Sequence, residues 1–458
     1  MLFHTWIFAV FFTVMYPVYL AVRKTKLRIP WLLIASYVFY GWWNPLYLFL
    51  ILYSTTVDYT AVTMMARSRR RGLWLAASIV NNLGLLGFFK YGEFVTENIN
   101  ALLAWLNVPY AVPVPDVLLP VGISFFVFQS MSYTIDYYRG ALEREPSLIR
   151  YATFVSLFPQ LVAGPIERAR NLLPQLRAAP RISREDVADG LSLFVVGFFK
   201  KVAVADYLAR YVDAVYAAPE QYQSPALCLA TFAFGWQIYC DFSGYTDMAR
   251  GAGRLLGVRL MLNFNNPYLA TGLGDFWARW HISLSTWFKD YVYIPLGGNR
   301  GGALMTYRNM FLTMVISGLW HGAAWRFIIW GALHAVGRVA TRELERTPFY
   351  RDRVPRFVKQ MAVFAFVTFT WIFFRADTLG DAWTIVVRIF TTGWVGPAFP
   401  LTGLGLIGAL WSYQFIYESR ARWLIELPPV RIACVVLMVL YVAVCSTSGE
   451  QQFIYFQF

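Results

Sequence analysis

Four histidines are the only imidazoles in the chain, and three of them, His281, His321 and His334, fall within one stretch. His321 stands in Ser317–Trp325 (SGLWHGAAW). It is the one ionisable side chain in a run from Asn309 to Trp325 that has no Asp, Glu, Lys or Arg. Imidazole titrates near 6.5 in water, and burial favours its neutral form. A neutral histidine next to Gly322, where a substrate can approach closely, is equipped to take a proton from a hydroxyl as a general base. The bland alternative is a neutral histidine hydrogen-bonded between helices.

His281 follows Gly274-Asp275-Phe276-Trp277-Ala278-Arg279-Trp280. Asp275 suits an N-cap, and Trp277, Trp280, His281, Leu284 and Phe288 then share one face of a single amphipathic helix. That helix is expected at the membrane interface, either lining a site entrance or simply anchoring the protein by its aromatics. His334 lies in Trp330–His334 (WGALH). On one straight helix it points about 220° away from His321, so the two meet only if the segment bends, and a structural role is expected. His4 sits at the frayed start.

Asp241 and Asp247 close an apolar stretch, Gln237–Asp247 (QIYCDFSGYTD), and Asn263–Tyr268 (NFNNPY) follows. The two carboxylates can bind a cation, orient a histidine, or pair with Arg250 and Arg254; ion pairing is the ordinary answer. Arg250, Arg254, Arg259, Arg279, Lys289, Arg300 and Arg308 offer guanidinium and ammonium groups for phosphates, although a basic cytoplasmic face alone also produces such a set. Phosphate-binding loops, nucleophile elbows and zinc spacings are missing. No metal and no tightly bound cofactor is expected. The four cysteines form no CxxC pair.

The elements that hold these residues must suit hydrocarbon. Of 458 residues, 58% are apolar and 14% charged, against about 25% charged in soluble domains. The apolar residues come in runs, among them 2–22, 29–66, 72–89, 117–135, 223–240, 309–325, 389–417 and 432–449. A membrane helix needs about 20 such residues. The run 29–66 is long enough for two helices and has one ionisable group, Asp58. The fold class is all-α, a polytopic membrane protein of about ten to twelve transmembrane helices plus re-entrant segments, in a single domain from 1 to 458. The net charge of +14 does not point to nucleic acid, because the basic residues occupy short connections between apolar runs, the positive-inside pattern. Arg23, Lys24, Lys26 and Arg28, and then Arg67 to Arg71, read as cytoplasmic loops. Both termini are then expected outside. The segment 151–166, which carries Pro159, Gly164 and Pro165, is too short to cross and reads as re-entrant. Helices are expected near 186–216 and 223–248.

In Tyr40–Pro45 (YGWWNP), Leu119–Gln129 (LPVGISFFVFQ), Phe158–Ile166 (FPQLVAGPI), Gln237–Asp247, Asn263–Tyr268, Phe276–Gly298, Ser317–Trp325, Thr370–Ala376 (TWIFFRA) and Phe453–Phe458 (FIYFQF), the sequence resembles the bacterial branch of the membrane-bound O-acyltransferase family, in particular its alginate O-acetyltransferases. The resemblance implies a helical bundle around a central funnel or tunnel. It implies His321 as a catalytic residue and His281 as a second functional histidine. Trp320, Asp241, Asp247, Asn263, Trp277, Trp280, Gln160 and His334 are the expected supporting or substrate-binding residues. It further implies acetyl-CoA as cytosolic donor, a glycan acceptor, a periplasmic acetyltransferase or accessory partner, membrane lipid around the chain, and a bacterial inner-membrane location. Besides a structural scaffold that only recruits a secreted acetyltransferase, which would leave the isolated histidines without a purpose, two other readings stand beside it. One is transfer of D-alanine or another acyl group from a carrier protein to teichoic acid; the other is a transporter or flippase without covalent chemistry.

Overall fold

The computed structural model describes residues 1–445 and 453–454. Of the FIYFQF segment, only Phe453 and Ile454 fall within it. The rest, and the end of the uncharged run at 446–449, lie outside the described residues. The elements among the described residues are all helical, as the composition requires of a chain that must satisfy its backbone internally in lipid. They form two compact units, residues 1–191 with 249–261, and residues 192–248 with 262–458.

In the first unit, α1 (Trp6–Val22), α2 (Arg28–Gly41), α3 (Tyr47–Arg67), α4 (Arg71–Phe89), α5 (Gly92–Trp105) and α6 (Ile123–Tyr138) follow the apolar runs. The run expected to hold two helices does break, at residues 42–46, into α2 and α3. Its one ionisable group, Asp58 on α3, is fully buried. A buried charge persists where hydrogen bonds satisfy it, and Asp58 accepts from Ser78 at 2.6 Å and from Asn82 at 2.9 Å, both on α4. Ser78 also meets Thr134 of α6 at 3.1 Å. Polar side chains thus tie α3, α4 and α6 together where water does not compete.

The expected re-entrant segment is broken into α7 (Leu148–Ser156) and the single turn α8 (Phe158–Leu161). The bend falls at Leu157, which leaves Pro159 in the first turn of α8, where its missing amide has no helical partner to lose. Every residue from Tyr151 to Ala169 is buried in protein, the setting in which non-spanning backbone is tolerated. Gln129 and Gln160 both donate to the Phe154 carbonyl, at 2.5 and 2.7 Å, and hold the break. α9 (Ala169–Arg177) follows.

The helix expected over 186–216 is interrupted. α10 (Arg184–Phe199) passes through a π-helical turn, Lys200–Ala205, into α11 (Asp206–Ala217). α12 (Ser224–Leu255) runs 32 residues and contributes to both units. In the second unit come α13 (Leu273–Arg279), α14 (Ile282–Phe288), α15 (Gly302–His321), α16 (Trp325–Arg346), α17 (Arg356–Arg375), α18 (Leu379–Thr391), α19 (Leu401–Glu418), α20 (Arg422–Glu426) and α21 (Pro428–Cys445). α18 opens with a reciprocal cap in which Thr378 and Asp381 each accept the other's amide.

Among the described residues α3, α4, α17 and α21 are long and apolar enough to cross a membrane, and α1 is apolar but shorter. A count of ten to twelve spans is reached only by including shorter or more polar helices. α21 has no buried residue; Tyr441 meets Phe199 edge-on at 5.8 Å, and most of the remaining apolar surface is left for lipid.

Candidate active site

His321 is the last residue of α15, and the chain turns back through Gly322–Ala324 into α16. The apolar segment is therefore a hairpin, and the bend that His321 and His334 needed in order to meet is present. Two glycines let the arms approach. A Cβ on Gly318 would run into the Phe327 carbonyl, and one on Gly331 into the Met314 carbonyl. The hairpin brings Trp330 of α16 onto the His321 ring, with centroids 5.2 Å apart. Phe374 of α17 closes another side at 5.2 Å, and Trp320 adjoins at 4.9 Å. The imidazole is 5% exposed.

His334 sits one ring further along. Its ring lies 4.7 Å from Trp330 and 5.1 Å from Trp277. Its Nε2 is 3.0 Å from the Thr370 hydroxyl on α17. One imidazole edge is thus used in joining α16 to α17.

His281 requires a correction. The single amphipathic helix expected from Asp275 does not form. α13 ends at Arg279, and α14 begins at Ile282. Between them Trp280 is extended and His281 takes the left-handed conformation, φ +43°. The cause lies in Asn263. Its carbonyl accepts from Ile282 N at 2.9 Å, and its side-chain oxygen accepts from Ser283 Oγ at 2.8 Å and Ser283 N at 3.2 Å. Asn265 N donates to the Arg279 carbonyl at 2.9 Å. These bonds satisfy the first amides of α14 and hold the chain away from continuous helix. Asp275 is also not the N-cap, which is Gly272; Asp275 instead accepts from Thr271 N at 3.1 Å and from Arg279 Nε at 2.6 Å.

The alternative of membrane-surface anchoring by these aromatics is corrected as well. Trp277, Trp280, His281, Leu284 and Phe288 are all buried. His281 touches Phe242 of α12 at 4.6 Å and Trp320 at 6.1 Å. Burial pushes its imidazole down to about 3, so it is neutral at ordinary pH. The three histidines therefore form one series, His281–Trp320–His321–Trp330–His334, in which each imidazole meets an indole.

Asp241 and Asp247 are ion-paired, as the ordinary expectation had it, and lysines supply partners that the sequence reading did not name. Lys200 reaches Asp247 at 2.7 Å. Lys201 reaches both Asp241 and Asp206 at 2.8 Å. The π turn explains this choice. Its bonds close five residues back, so Lys201 and Asp206 stack on each other, and the Asp206 amide donates to the Lys201 carbonyl. Asp241 also accepts from the Ile454 amide at 2.7 Å. It is next in sequence to Phe242, which packs on His281. Arg254 meets Asp189 at 2.8 Å in the first unit. In the second unit Arg279 is held by Asp275 and Glu418, so this side chain of the basic set is already engaged by carboxylates. Gln160 belongs to the first unit.

Sequence reasoning did not single out Trp330, Phe374, Thr370, Lys200 or Lys201. The lysines carried a usable signal, two adjacent charges inside an otherwise apolar stretch (LSLFVVGFFKKVAVA). Trp330 and Phe374 carried none that set them apart from other core aromatics. Trp330 Nε1 is buried and has no hydrogen-bond partner among the described residues.

The profile of the membrane-bound O-acyltransferase family matches residues 138–379, the part of the chain that contains all three buried histidines. The chain is 43% identical over 372 residues to a probable alginate O-acetylase, AlgI, of Azotobacter vinelandii, covering 79% of this chain and 72% of that protein. It is 36% identical over 382 residues to the peptidoglycan O-acetyltransferase of Helicobacter pylori, covering 77% and 72%. A teichoic acid D-alanyltransferase of Bacillus subtilis is 30% identical over 229 residues, covering 47% of this chain and 57% of that protein. With the family's profile across more than half its length and relatives 43% and 36% identical over 72% of their own length, this chain belongs to the membrane-bound O-acyltransferase family and is a multi-pass membrane O-acyltransferase.

Proposed function

We propose that this chain, acting as one acyltransferase domain over residues 1–458, moves an acetyl group from cytosolic acetyl-CoA across a bacterial inner membrane toward hydroxyls of an exopolysaccharide or cell-wall glycan. Both termini face outward, and a periplasmic partner receives or relays the acetyl group. The observation that carries the reading is the enclosure of His321 by Trp320, Trp330 and Phe374 at the turn of the α15–α16 hairpin. Such a site excludes water, which would otherwise hydrolyse the thioester. The relatives named for acetyl transfer match more of the chain, at higher identity, than the D-alanyltransferase does, which favours acetyl over D-alanyl. Their named substrates, alginate and peptidoglycan, favour a glycan acceptor.

In this reading the acceptor oxygen attacks the thioester carbonyl while His321 takes its proton. The C–S bond breaks, the protonated His321 returns the proton to the departing thiolate, and an ester and a free thiol result. Negative charge gathers on the carbonyl oxygen in between. The Trp330 indole N–H, beside His321 and lacking an acceptor, is suited to stabilise it, as is Trp320. His281 and Asn263 shape the wall behind Trp320, and His334 fixes Trp330 from the far side. Acetyl-CoA is a substrate here and no cofactor stays bound.

The test uses purified protein in detergent with radiolabelled acetyl-CoA and a soluble polysaccharide or the periplasmic partner as acceptor. His321→Ala should lower label transfer by about 10²- to 10⁴-fold, the usual contribution of a general base, at unchanged melting temperature. Full transfer by a normally folded His321→Ala protein would overturn the assignment.

A further inference from the structure

A second chemically distinctive place lies in the first unit, where the connection from α1 to α2 meets the start of α7 and the end of α9. A cavity of about 350 Å³ opens there, lined by Arg23, Lys24, Lys26, Arg28, Arg150 and Arg177, and by no carboxylate. A single acidic group stands behind it. Glu145, fully buried, binds Arg150 at 2.6 Å and Arg177 at 2.9 Å. Arg28 is nearly buried and donates to the carbonyls of Leu176 and Ala178 at the end of α9, which positions its charge without neutralising it. No described carboxylate pairs with Arg23, Lys24 or Lys26.

Six cations around one cavity repel each other, and one carboxylate does not balance them. Exposed lysines alone would spread into solvent, but here the backbone and Glu145 fix three arginines in place. Guanidinium groups held in this way match phosphate oxygens, and the volume is that of a small-ligand site. The surroundings narrow the choice. Leu27, Leu148 and Ile149, at or beside the rim, are large apolar residues left 44% to 63% exposed. Arg23 follows directly on the apolar α1. The connection is of the basic kind that faces the cytoplasmic leaflet, where acidic lipids attract such groups. A soluble anion has no use for an apolar rim; a phospholipid has a phosphate for the pocket and acyl chains for the rim.

We propose that this pocket binds the headgroup phosphate of an acidic phospholipid, with the lipid's acyl chains lying over Leu27, Leu148 and Ile149. The site is separate from the histidine cluster and does not depend on the reading of His321. The test is native mass spectrometry of the full chain in neutral detergent, titrated with dioleoyl-phosphatidylglycerol, with dioleoyl-phosphatidylcholine, or with coenzyme A. The wild type should retain phosphatidylglycerol in preference to phosphatidylcholine. The exposed-loop variant Arg23→Ala/Lys24→Ala/Lys26→Ala, at unchanged melting temperature, should lose retention by roughly a hundredfold, since each cation near an anionic surface is worth about a fivefold step. His321→Ala should retain the lipid as the wild type does. Equal retention of the two lipids, or the same preference in the triple variant, overturns the proposal. Displacement of the lipid by coenzyme A, with coenzyme A binding lost in the triple variant, would reassign the pocket to the donor's phosphates and overturn it as well.

Discussion

At position 281 the backbone and the side chain make separate demands. The left-handed conformation is costly for most residues, by about 1–2 kcal/mol, and least so for glycine, asparagine, aspartate and histidine. His281→Asn therefore keeps a tolerated backbone and loses only the imidazole, whereas His281→Val keeps bulk and opposes the backbone. We expect the valine variant to be less stable than the asparagine variant by about 1–2 kcal/mol in denaturant titrations, while both lose acetyl transfer. Equal stability would mean that the break between α13 and α14 is not held by Asn263 as described. Acid adds a second expectation. Burial lowers the folded-state titration of His281 to about 3, below the ordinary 6.5. Its contribution is then fully present above pH 6.5 and is lost as pH falls toward 3. His281→Asn should flatten that part of the stability profile, and an identical acid limb in both proteins would argue against it. His321 stood out in sequence because it is the one ionisable side chain in a run without Asp, Glu, Lys or Arg, whereas His281 and His334 were visible as imidazoles but not in their placement. Trp330 did not stand out, because one tryptophan among 18 looks like any other until a hairpin sets it against His321.

Hydrophobic runs foretold where the helices lie but not where they break. The stretch 186–216 reads as one helix because a π turn adds a residue without disturbing the apolar pattern enough to show. The stretch from Asp275 reads as one amphipathic helix because the signal that breaks it is Asn263, a residue ten or more positions earlier. Both interruptions serve the site region: one turns Lys201 onto Asp241 and Asp206, and the other sets His281 beside Trp320. The π turn gives a prediction at its own scale. Lys201→Ala leaves two nearly buried carboxylates facing each other and should cost about 3–5 kcal/mol. Replacing the set with neutral side chains, Lys201→Leu with Asp206→Asn and Asp241→Asn, should recover much of that. Thermal melts in detergent would show both effects, and a Lys201→Ala protein as stable as the wild type would refute the shared-lysine arrangement.

Across the whole molecule, composition alone set the class, since 58% apolar residues arranged in runs leave only lipid as solvent. The number of crossings was less legible, because apolar runs that a count treats as spans are in part broken, buried in protein or folded into hairpins. α21 is the plainest lipid-facing element. Leu437, near its middle, is 64% exposed, and Leu437→Lys should disfavour insertion by about 3 kcal/mol, the price of an ammonium at mid-bilayer. The fraction of protein recovered in the membrane would fall accordingly; recovery at wild-type level would mean that α21 does not lie in hydrocarbon. The tie between Asp241 and Ile454 reaches further. The amide that completes the ligation of Asp241 is supplied by a residue 213 positions later in the chain. During synthesis, Asp241 and Lys201 leave the ribosome and enter the membrane long before that amide exists. The polar arrangement behind His281 is therefore finished last, and a nascent or prematurely terminated chain is inserted before it is equipped.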